Sequence, residues 1–547
     1  MEHYLTSLLA ATKQYWDKKS LNTFHGESFT YGEMATRAAK LHLFFSLAGI
    51  EEGSHLALCA RNGARWGMAF LGIMTNRSVA VPILPDFTTE SLMNLVDHSD
   101  SIGFFTNTDK WEKCDPARMP KLKFVISIDD WTIKYSTDEK IRSLYENIDT
   151  LFAEKYPDGF GPDDCVFPIG DLDDLCLINY TSGSTGNPKG VMLTNRAISA
   201  NVDYSQRHMP VTSEDNALSM LPMAHMFGLV IEFIYPLCNG ASIYWLGKAP
   251  TPSALMAAFA EVHPYLMITV PLVLEKVVNS KVKPVLEKPV MKALTKIPGI
   301  KRIIYNKVKS QLEHAFGGKV QEYIMGGAAL NPEVEKVFAA IKFKYCVGYG
   351  MTECGPLISY VAHKKFVRGS CGKAIDCTTV RIDSEDPHHT VGEIQVKGDN
   401  ICIGYYKNEE ATAALFTEDG YLRTGDLGII DADGNIFIRG RSKNMILGPS
   451  GQNIYPEEIE AVVNNMPYVL ESVVIERGGK LVGLVYLDEQ SMAKNLLDKE
   501  QVSDLPEQIR IGANKQLPGY SQITKIEVRT EPFEKTPKMS IKRFLYT

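Results

Sequence analysis

The sequence lacks a C-x-x-C pair, and its ten cysteines form no tight cluster; Cys59, Cys176, Cys346 and Cys402 mark how widely they are spread. That spacing argues against a disulfide framework or a cysteine zinc site and fits reduced thiols in a cytoplasmic protein. There is no basic excess: 65 acidic residues face 58 lysines and arginines, a formal net charge of -7. Such a chain has no general positive field for nucleic-acid phosphates. The start, "MEHYLTSLLAATKQYWDKKS", has no basic residues followed by an apolar core, so no signal peptide is expected. The most apolar window, residues 227–247, is interrupted by Glu232, Pro236, Asn239 and Gly240 and reads as a buried helix entering a strand. Repeats and low-complexity segments do not stand out. What remains is an ordinary globular composition, 45% hydrophobic and 22% charged, on 547 residues. That length is too great for one compact core and predicts two to four domains.

Short apolar runs alternate with helix-length segments in the first half: "HLALCA", "ARWGMAFLGIMTN", "VAVPIL", "TTESLMNLVDHSD" and "IGFFTN". This is the pattern of parallel α/β layers. From about Gly392 strand pairs with turn signals follow, with Asp433-Gly434 as a hairpin turn. From about Asn444 the pattern is that of a small α+β unit, with a helix in "YPEEIEAVVNNM" and strands in "ESVVIER" and "KLVGLVYLDE".

The stretch "YTSGSTGNPKGVMLTN" (180–195) lies between the strand-like "LCLINY" and the helix-like "AISANVDYSQRH". Its glycines let backbone N–H groups approach a ligand, Ser182, Ser184 and Thr185 add hydroxyls, and Lys189 adds a mobile charge. That is polyphosphate-binding chemistry. The G-x-x-x-x-G-K-[ST] spacing of a Walker loop is absent. From the loop alone, a flexible Ser/Gly connector is an equal alternative.

Six further motifs follow in order: "LPMAHMFGL" (221–229), "TVP" (269–271), "GGAAL" (326–330), "GYGMTECGP" (348–356), "YLRTGDLG" (421–428) and "GRSKNMILGPSGQNIYPEEIE" (440–460). Together with the loop they resemble the signatures of the adenylate-forming superfamily over essentially the whole chain. The resemblance implies an α/β fold with a large multi-layer N-terminal domain, residues 1–440, built of parallel α/β sheets plus a small β-barrel-like part. A small mobile α+β C-terminal domain, residues 441–547, would follow a hinge near Lys443. It also implies a reaction in which a carboxylate attacks the α-phosphorus of ATP and a thiol, usually that of coenzyme A, then displaces AMP.

The resemblance assigns roles residue by residue. Thr181, Ser182, Gly183, Ser184, Thr185, Gly186 and Lys189 would cradle the phosphates. Gly327, Ala328, Gly348, Tyr349, Gly350, Met351 and Thr352 would line the nucleotide, with Tyr349 stacked on adenine and Thr352 at the α-phosphate. Glu353, with Thr185, would hold Mg²⁺, for one carboxylate plus phosphates and waters suits that cation. Asp426 would accept from the ribose hydroxyls, and Arg441 would reach the ribose or a phosphate. His225 would line and gate the mouth of an acyl pocket shaped by Phe227, Gly228 and Gly326. Lys443 would be the hinge, and Ser450, Gly451 and Gln452 would face the channel for coenzyme A. The plain alternatives are a packed core histidine at 225, a solvated turn at 352–353, a turn residue at 426 and a surface ion pair at 441.

One departure stands out. The family's closing motif resembles P-K-T-x-x-G-K-x-x-R, whereas this chain reads "EKTPKMSIKR" (534–543), which puts Ser540 in the lysine position. Three readings are open: Lys538 or Lys542 substitutes, adenylation is weak, or the serine is an introduced change that cripples the first half-reaction. The lysine-rich tract 276–314 suggests contact with an anionic membrane surface or the phosphates of coenzyme A, against a solvated helical face as the plain reading. The overall pattern, including the "KRFLY" ending, looks most like a bacterial long-chain fatty acyl-CoA synthetase. The alternatives are a ligase that loads an acyl-carrier protein and an adenylation-impaired acyl- or adenylate-binding protein.

Overall fold

The structure, a computed structural model, describes residues 1–181, 188–209, 211–247, 251–447, 452–535 and 541–547. Its centre is an eight-stranded sheet. Five strands run parallel in the order Leu175–Thr181, Val79–Pro82, His55–Cys59, Gly103–Thr106 and Phe124–Ser127. Strands such as "VAVP" and "GFFT" are buried at every position, as expected where helices cover both faces of a parallel sheet. The helix Tyr31–Leu47 starts on a capping box, with Thr30 accepting from the Glu33 N–H and Glu33 accepting from Thr30. It packs closely on the helix Ala64–Met74 because Gly72 has no side chain: a Cβ there would lie 2.4 Å from Leu41.

Two more sheets flank this one. The first runs Asn216–Ser219, Ser242–Trp245, Lys19–Thr23, Ser28–Thr30, and the second is the parallel trio Leu266–Thr269, Glu322–Met325, Tyr345–Val347. The window 227–247 is a buried π-helical turn, Gly228–Ile234, continuing into the helix Tyr235–Cys238 and the strand Ser242–Trp245. Among the described residues no helix is long and apolar enough to cross a membrane. The ten cysteines are all unpaired.

The later strands are antiparallel. Thr378–Asp383, Gly392–Gly398, Leu422–Ile430 and Ile436–Arg441 form one four-stranded sheet, joined through a bridge between Lys373 and Asn435 to the small sheet Tyr349–Gly350, Leu357–Tyr360, Lys373–Ala374. The turn at Asp433-Gly434 is held by Asp431, which accepts from the N–H groups of Asp433 and Asn435, with Gly434 at φ +87°.

The C-terminal residues build a three-stranded sheet, Val469–Arg477, Lys480–Leu487 and Lys525–Arg529, against the helices Pro456–Val463 and Lys499–Asn514. Their apolar cluster, around Val463, Val485 and Ile509, has no member in common with the main cluster, which extends to Ile436. Side-chain contacts across the seam include the hydrogen bond from Asn331 Nδ2 to Asn465 Oδ1 at 2.8 Å and the Arg439–Glu458 pair at 3.6 Å.

The Gly-rich loop does not lead straight into a helix. The strand Lys189–Thr194 intervenes and pairs antiparallel with Leu175–Thr181, and only then does the helix Asn195–His208 begin. The valine and β-branched threonine of "KGVMLT" favour this strand, which separates Lys189 from the helix N-terminus at Asn195.

Candidate active site

The site is assembled by strand register. Thr181 pairs with Lys189 at the end of the hairpin, and the short strand Gly404–Tyr405 adds to its outer edge, Tyr405 opposite Val191. The Tyr406 N–H donates to the Gly190 carbonyl at 2.8 Å, which fixes the alignment. As a result the Lys189 ammonium lies 4.7 Å from the centre of the Tyr405 ring, in cation–π contact. Glycine is required at 404: φ is +135° and a Cβ would meet Thr412 at 2.5 Å.

Glu353 comes from the 3₁₀ turn Thr352–Cys354 and is 8% exposed, so the turn is buried. Its Oε1 accepts from the Tyr405 hydroxyl at 2.9 Å, and its backbone carbonyl accepts from the Cys402 N–H at 2.7 Å. Two fully buried asparagines clamp the turn. Asn201 and Asn400 each donate to the Cys354 carbonyl at 3.2 Å; Asn400 also reaches the Leu357 carbonyl at 2.6 Å, and Asn201 accepts from the Leu357 N–H at 3.0 Å. At Gly350 a Cβ would lie 2.0 Å from the Pro356 carbonyl, so a larger residue would displace the strand that leads into the turn.

Asp426 sits opposite Arg441 in the antiparallel ladder, with Arg441 Nε 3.0 Å from Oδ1. The Tyr349 hydroxyl donates to Oδ2 at 2.8 Å. Burial pushes the Asp426 carboxyl up, and the Arg441 guanidinium opposes that shift. Burial also raises the Tyr349 phenol well above its ordinary value, with Asp426 adding to it. A carboxylate has about four lone-pair positions, so each Asp426 oxygen has capacity for one further donor. Tyr349 and Glu353 lie on one continuous strand and turn. Lys189, Tyr405 and Glu353 form one chain of contacts and Tyr349, Asp426 and Arg441 another, the two joined through the backbone from Tyr349 to Glu353.

The other candidates fall around this chain. Thr352 is buried beside Glu353, and the Gly348 N–H donates to the Met325 carbonyl at 2.8 Å, joining the parallel trio to the Tyr349 strand. Met351 is half-buried, and its N–H donates to the Pro356 carbonyl at 2.9 Å. Gly327, at φ +81°, and Ala328 are exposed, with open space over Gly327. Phe227 and Gly326 touch: a Cβ on Gly326 would lie 2.9 Å from the Phe227 ring. His225 is half-buried and its Nδ1 accepts from the Phe227 N–H at 3.3 Å. Gly228 is closed against the Pro222 carbonyl, 2.7 Å from a would-be Cβ, so it serves the tight turn before the π-helical segment. Lys443 lies in an exposed turn just after Arg441, and Gln452 is exposed. Ser182, Gly183, Ser184, Thr185, Gly186, Ser450, Gly451, Lys538 and Ser540 lie outside the described residues. The flanks of Ser540 are held by the C-terminal sheet: Lys535 pairs with Glu471 and bridges Ile541, Arg543 pairs with buried Glu460, and Lys542 lies 3.4 Å from Glu534.

Tyr405, Asn201 and Asn400 are absent from the sequence-based assignment. Tyr405 carried a faint signal, a tyrosine after a glycine in a short apolar run; the two asparagines carried none, because their role depends on where the turn lands.

Among the described residues no three His, Cys, Asp or Glu side chains are placed to hold a metal. Glu353 is therefore a single carboxylate donor, and a cation there would draw its remaining ligands from phosphates and water, the donor set of Mg²⁺.

The hairpin lysine, the buried Glu353 and the buried Asp426 are thus held by neighbouring parts of one fold. The chain belongs to the AMP-binding enzyme family: that family's profile matches residues 9–406, and the profile of the AMP-binding enzyme C-terminal domain matches residues 443–546. Its relatives include long-chain-fatty-acid–CoA ligase 5 of Mus musculus, 28% identical with 89% of this chain and 78% of the relative covered. Sulfoacetate–CoA ligase of Cupriavidus necator is 29% identical, with 86% and 84% covered. Among solved structures, ATP-bound MatB from Rhodopseudomonas palustris shares the fold with a TM-score of 0.76 at 22% identity, covering 98% of this chain and 97% of that one.

Proposed function

We propose that the chain activates a medium- or long-chain fatty acid with ATP and transfers the acyl group to coenzyme A. An acid oxygen bonds to the α-phosphorus as the bond to the β-phosphate oxygen breaks, giving acyl-adenylate and pyrophosphate. The coenzyme A sulfur then bonds to the acyl carbon, its thiol proton is released, and AMP leaves with the bonding electrons.

The observation that carries this reading is the pair of contact chains Lys189–Tyr405–Glu353 and Tyr349–Asp426–Arg441, joined through the short backbone stretch between Tyr349 and Glu353. The first step brings an anionic acid to an anionic triphosphate, so fixed positive charge must offset the repulsion. Lys189 supplies one such charge, and the Tyr405 ring holds it beside the hairpin tip. Glu353 would hold Mg²⁺, which when bound neutralises phosphate charge. Asp426 orients the ribose through its free lone pairs, with Tyr349 and Arg441 keeping the carboxylate aimed. The Phe227 ring against Gly326, beside His225, offers an aromatic wall, which suits an alkyl acid. The fatty-acid class is further supported by the name of the mouse relative.

A second acceptor is supported by another relative, long-chain-fatty-acid–[acyl-carrier-protein] ligase AEE15 of Arabidopsis thaliana, 24% identical with 89% of this chain covered. The test is a scan of acids of different chain length, reading pyrophosphate release and thioester yield with coenzyme A and with acyl-carrier protein as acceptors. A response that rises with alkyl length supports the fatty-acid reading, and a flat one overturns it. Ser540→Lys is expected to raise acid-dependent pyrophosphate release if the serine limits the first step, whereas thioester formation from preformed acyl-adenylate stays unchanged.

A further inference from the structure

We propose that residues 283–303 form a docking surface for an anionic lipid membrane, a property separate from the chemistry above. Residues 276–309 carry nine lysines and Arg302 against one acid, Glu287, in a chain that is acidic as a whole. Among the described residues only Lys309 of this set has an ion-pair partner, Glu313 at 3.8 Å. Unneutralised charge at this density calls for an anionic partner.

The apolar residues show what kind of partner. The short helices Lys283–Leu286 and Pro289–Leu294 contain no fully buried residue; Leu286, which packs against the main core, Met291 and Leu294 are half-buried. Val290 is 68% exposed, Ile297 50% and Ile303 69%. On the helix Pro298–Ala315 the inward stripe is Val308 and Leu312, four apart, with half-buried Ile304 in line, while Ile303 points outward beside it. Helices of four and six residues with so little buried are not stable on their own in water. The segment is nevertheless pinned at both ends. Before it, Glu275 accepts from the Asn331 N–H at 2.8 Å and Val278 is fully buried; after it, Val308 and Leu312 reach the core. Between these pins, valines and isoleucines alternate with lysines over a broad face. Apolar side chains can enter the acyl boundary while lysine stems lie along it and their ammonium groups reach the headgroups. An acidic protein would satisfy the lysines but leaves this spread of aliphatic side chains unexplained. The Asn331 contact ties the surface to the turn that follows Gly326 and Gly327, so docking would bring the candidate acyl pocket close to the bilayer.

The test is flotation of the full chain with vesicles of phosphatidylcholine alone and with phosphatidylglycerol added. Binding to the anionic vesicles only, weakened by salt, is expected. The triple variant Lys288→Gln, Lys292→Gln, Lys296→Gln should lower partitioning ~100-fold. The variant Val290→Ser, Ile297→Ser, Ile303→Ser should lower it about tenfold or more even at low salt. All six positions are at the surface, so thermal melting should match the parent chain. Equal partitioning of parent and variants overturns the proposal, as does no preference for the anionic vesicles. Capture of an acidic carrier protein without vesicle binding also overturns it.

Discussion

The Tyr405 hydroxyl donates to Glu353 at 2.9 Å while the other partner of its ring is Lys189, so one phenol sits between the candidate metal ligand and the candidate phosphate cation. Tyr405→Phe separates these two contacts because it keeps the ring and deletes the donor. Loss of one hydrogen bond to a buried carboxylate is worth roughly 1–2 kcal/mol, so acid-dependent pyrophosphate release should fall about tenfold with little change in affinity for the acid. An unchanged rate would mean the hydroxyl only fills space.

Glu353→Gln keeps the volume and removes the charge. Pyrophosphate release should fall by roughly two orders of magnitude or more, and raising Mg²⁺ should recover part of it if the carboxylate holds the cation. Full activity at ordinary Mg²⁺ would remove Glu353 from the metal site.

Asp426 is held by one neutral and one charged donor, and Asn can replace only part of that. For Asp426→Asn, calorimetric titration with AMP should show affinity ~10–100-fold weaker. If the pair with Arg441 were only structural, thermal stability would drop while AMP affinity stayed the same.

At Gly326 the Phe227 ring leaves no room for even a methyl group without moving. Gly326→Val should push the ring aside and reshape the acyl pocket. Turnover of the longest acids is expected to fall at least tenfold relative to short ones, with KM for ATP unchanged. A length profile parallel to that of the parent chain would place the acyl pocket elsewhere.

Buried Glu232 accepts from Ser219 Oγ at 2.9 Å and from the Met220 and Leu221 N–H groups at 3.2 and 3.0 Å. Burial, the largest influence, pushes its carboxyl from 4.5 up to about 8. The folded chain therefore keeps a proton that the unfolded chain releases, and stability falls as pH rises from about 4.5 to about 8. Glu232→Gln should flatten that slope, removing on the order of a few kcal/mol of pH dependence in urea unfolding. Parallel slopes for parent and variant would show that Glu232 titrates as an ordinary carboxyl.

Local patterns were readable from the sequence where one segment decides the outcome: buried parallel strands from continuous apolar runs, the C-terminal helix from Pro456 with Glu457 and Glu458 after it, and the broken window at 227–247. The hairpin was missed because "KGVMLT" is short and lies inside a motif dominated by glycine and hydroxyl residues, which hides its strand character. Lys189, Glu353 and Asp426 were legible as residue types in ordered motifs. Their meeting was expected only through the family resemblance and could not be read from spacing, because it depends on Gly404–Tyr405 crossing the hairpin edge and on Asn201 and Asn400 clamping a turn more than a hundred residues from one of them.

The seam joining Asn331 to Asn465 and Arg439 to Glu458 has a mechanical consequence. Amides and ions released there can be rehydrated at once, so breaking these two contacts costs little. These two contacts therefore offer little resistance of their own to reorienting the smaller unit.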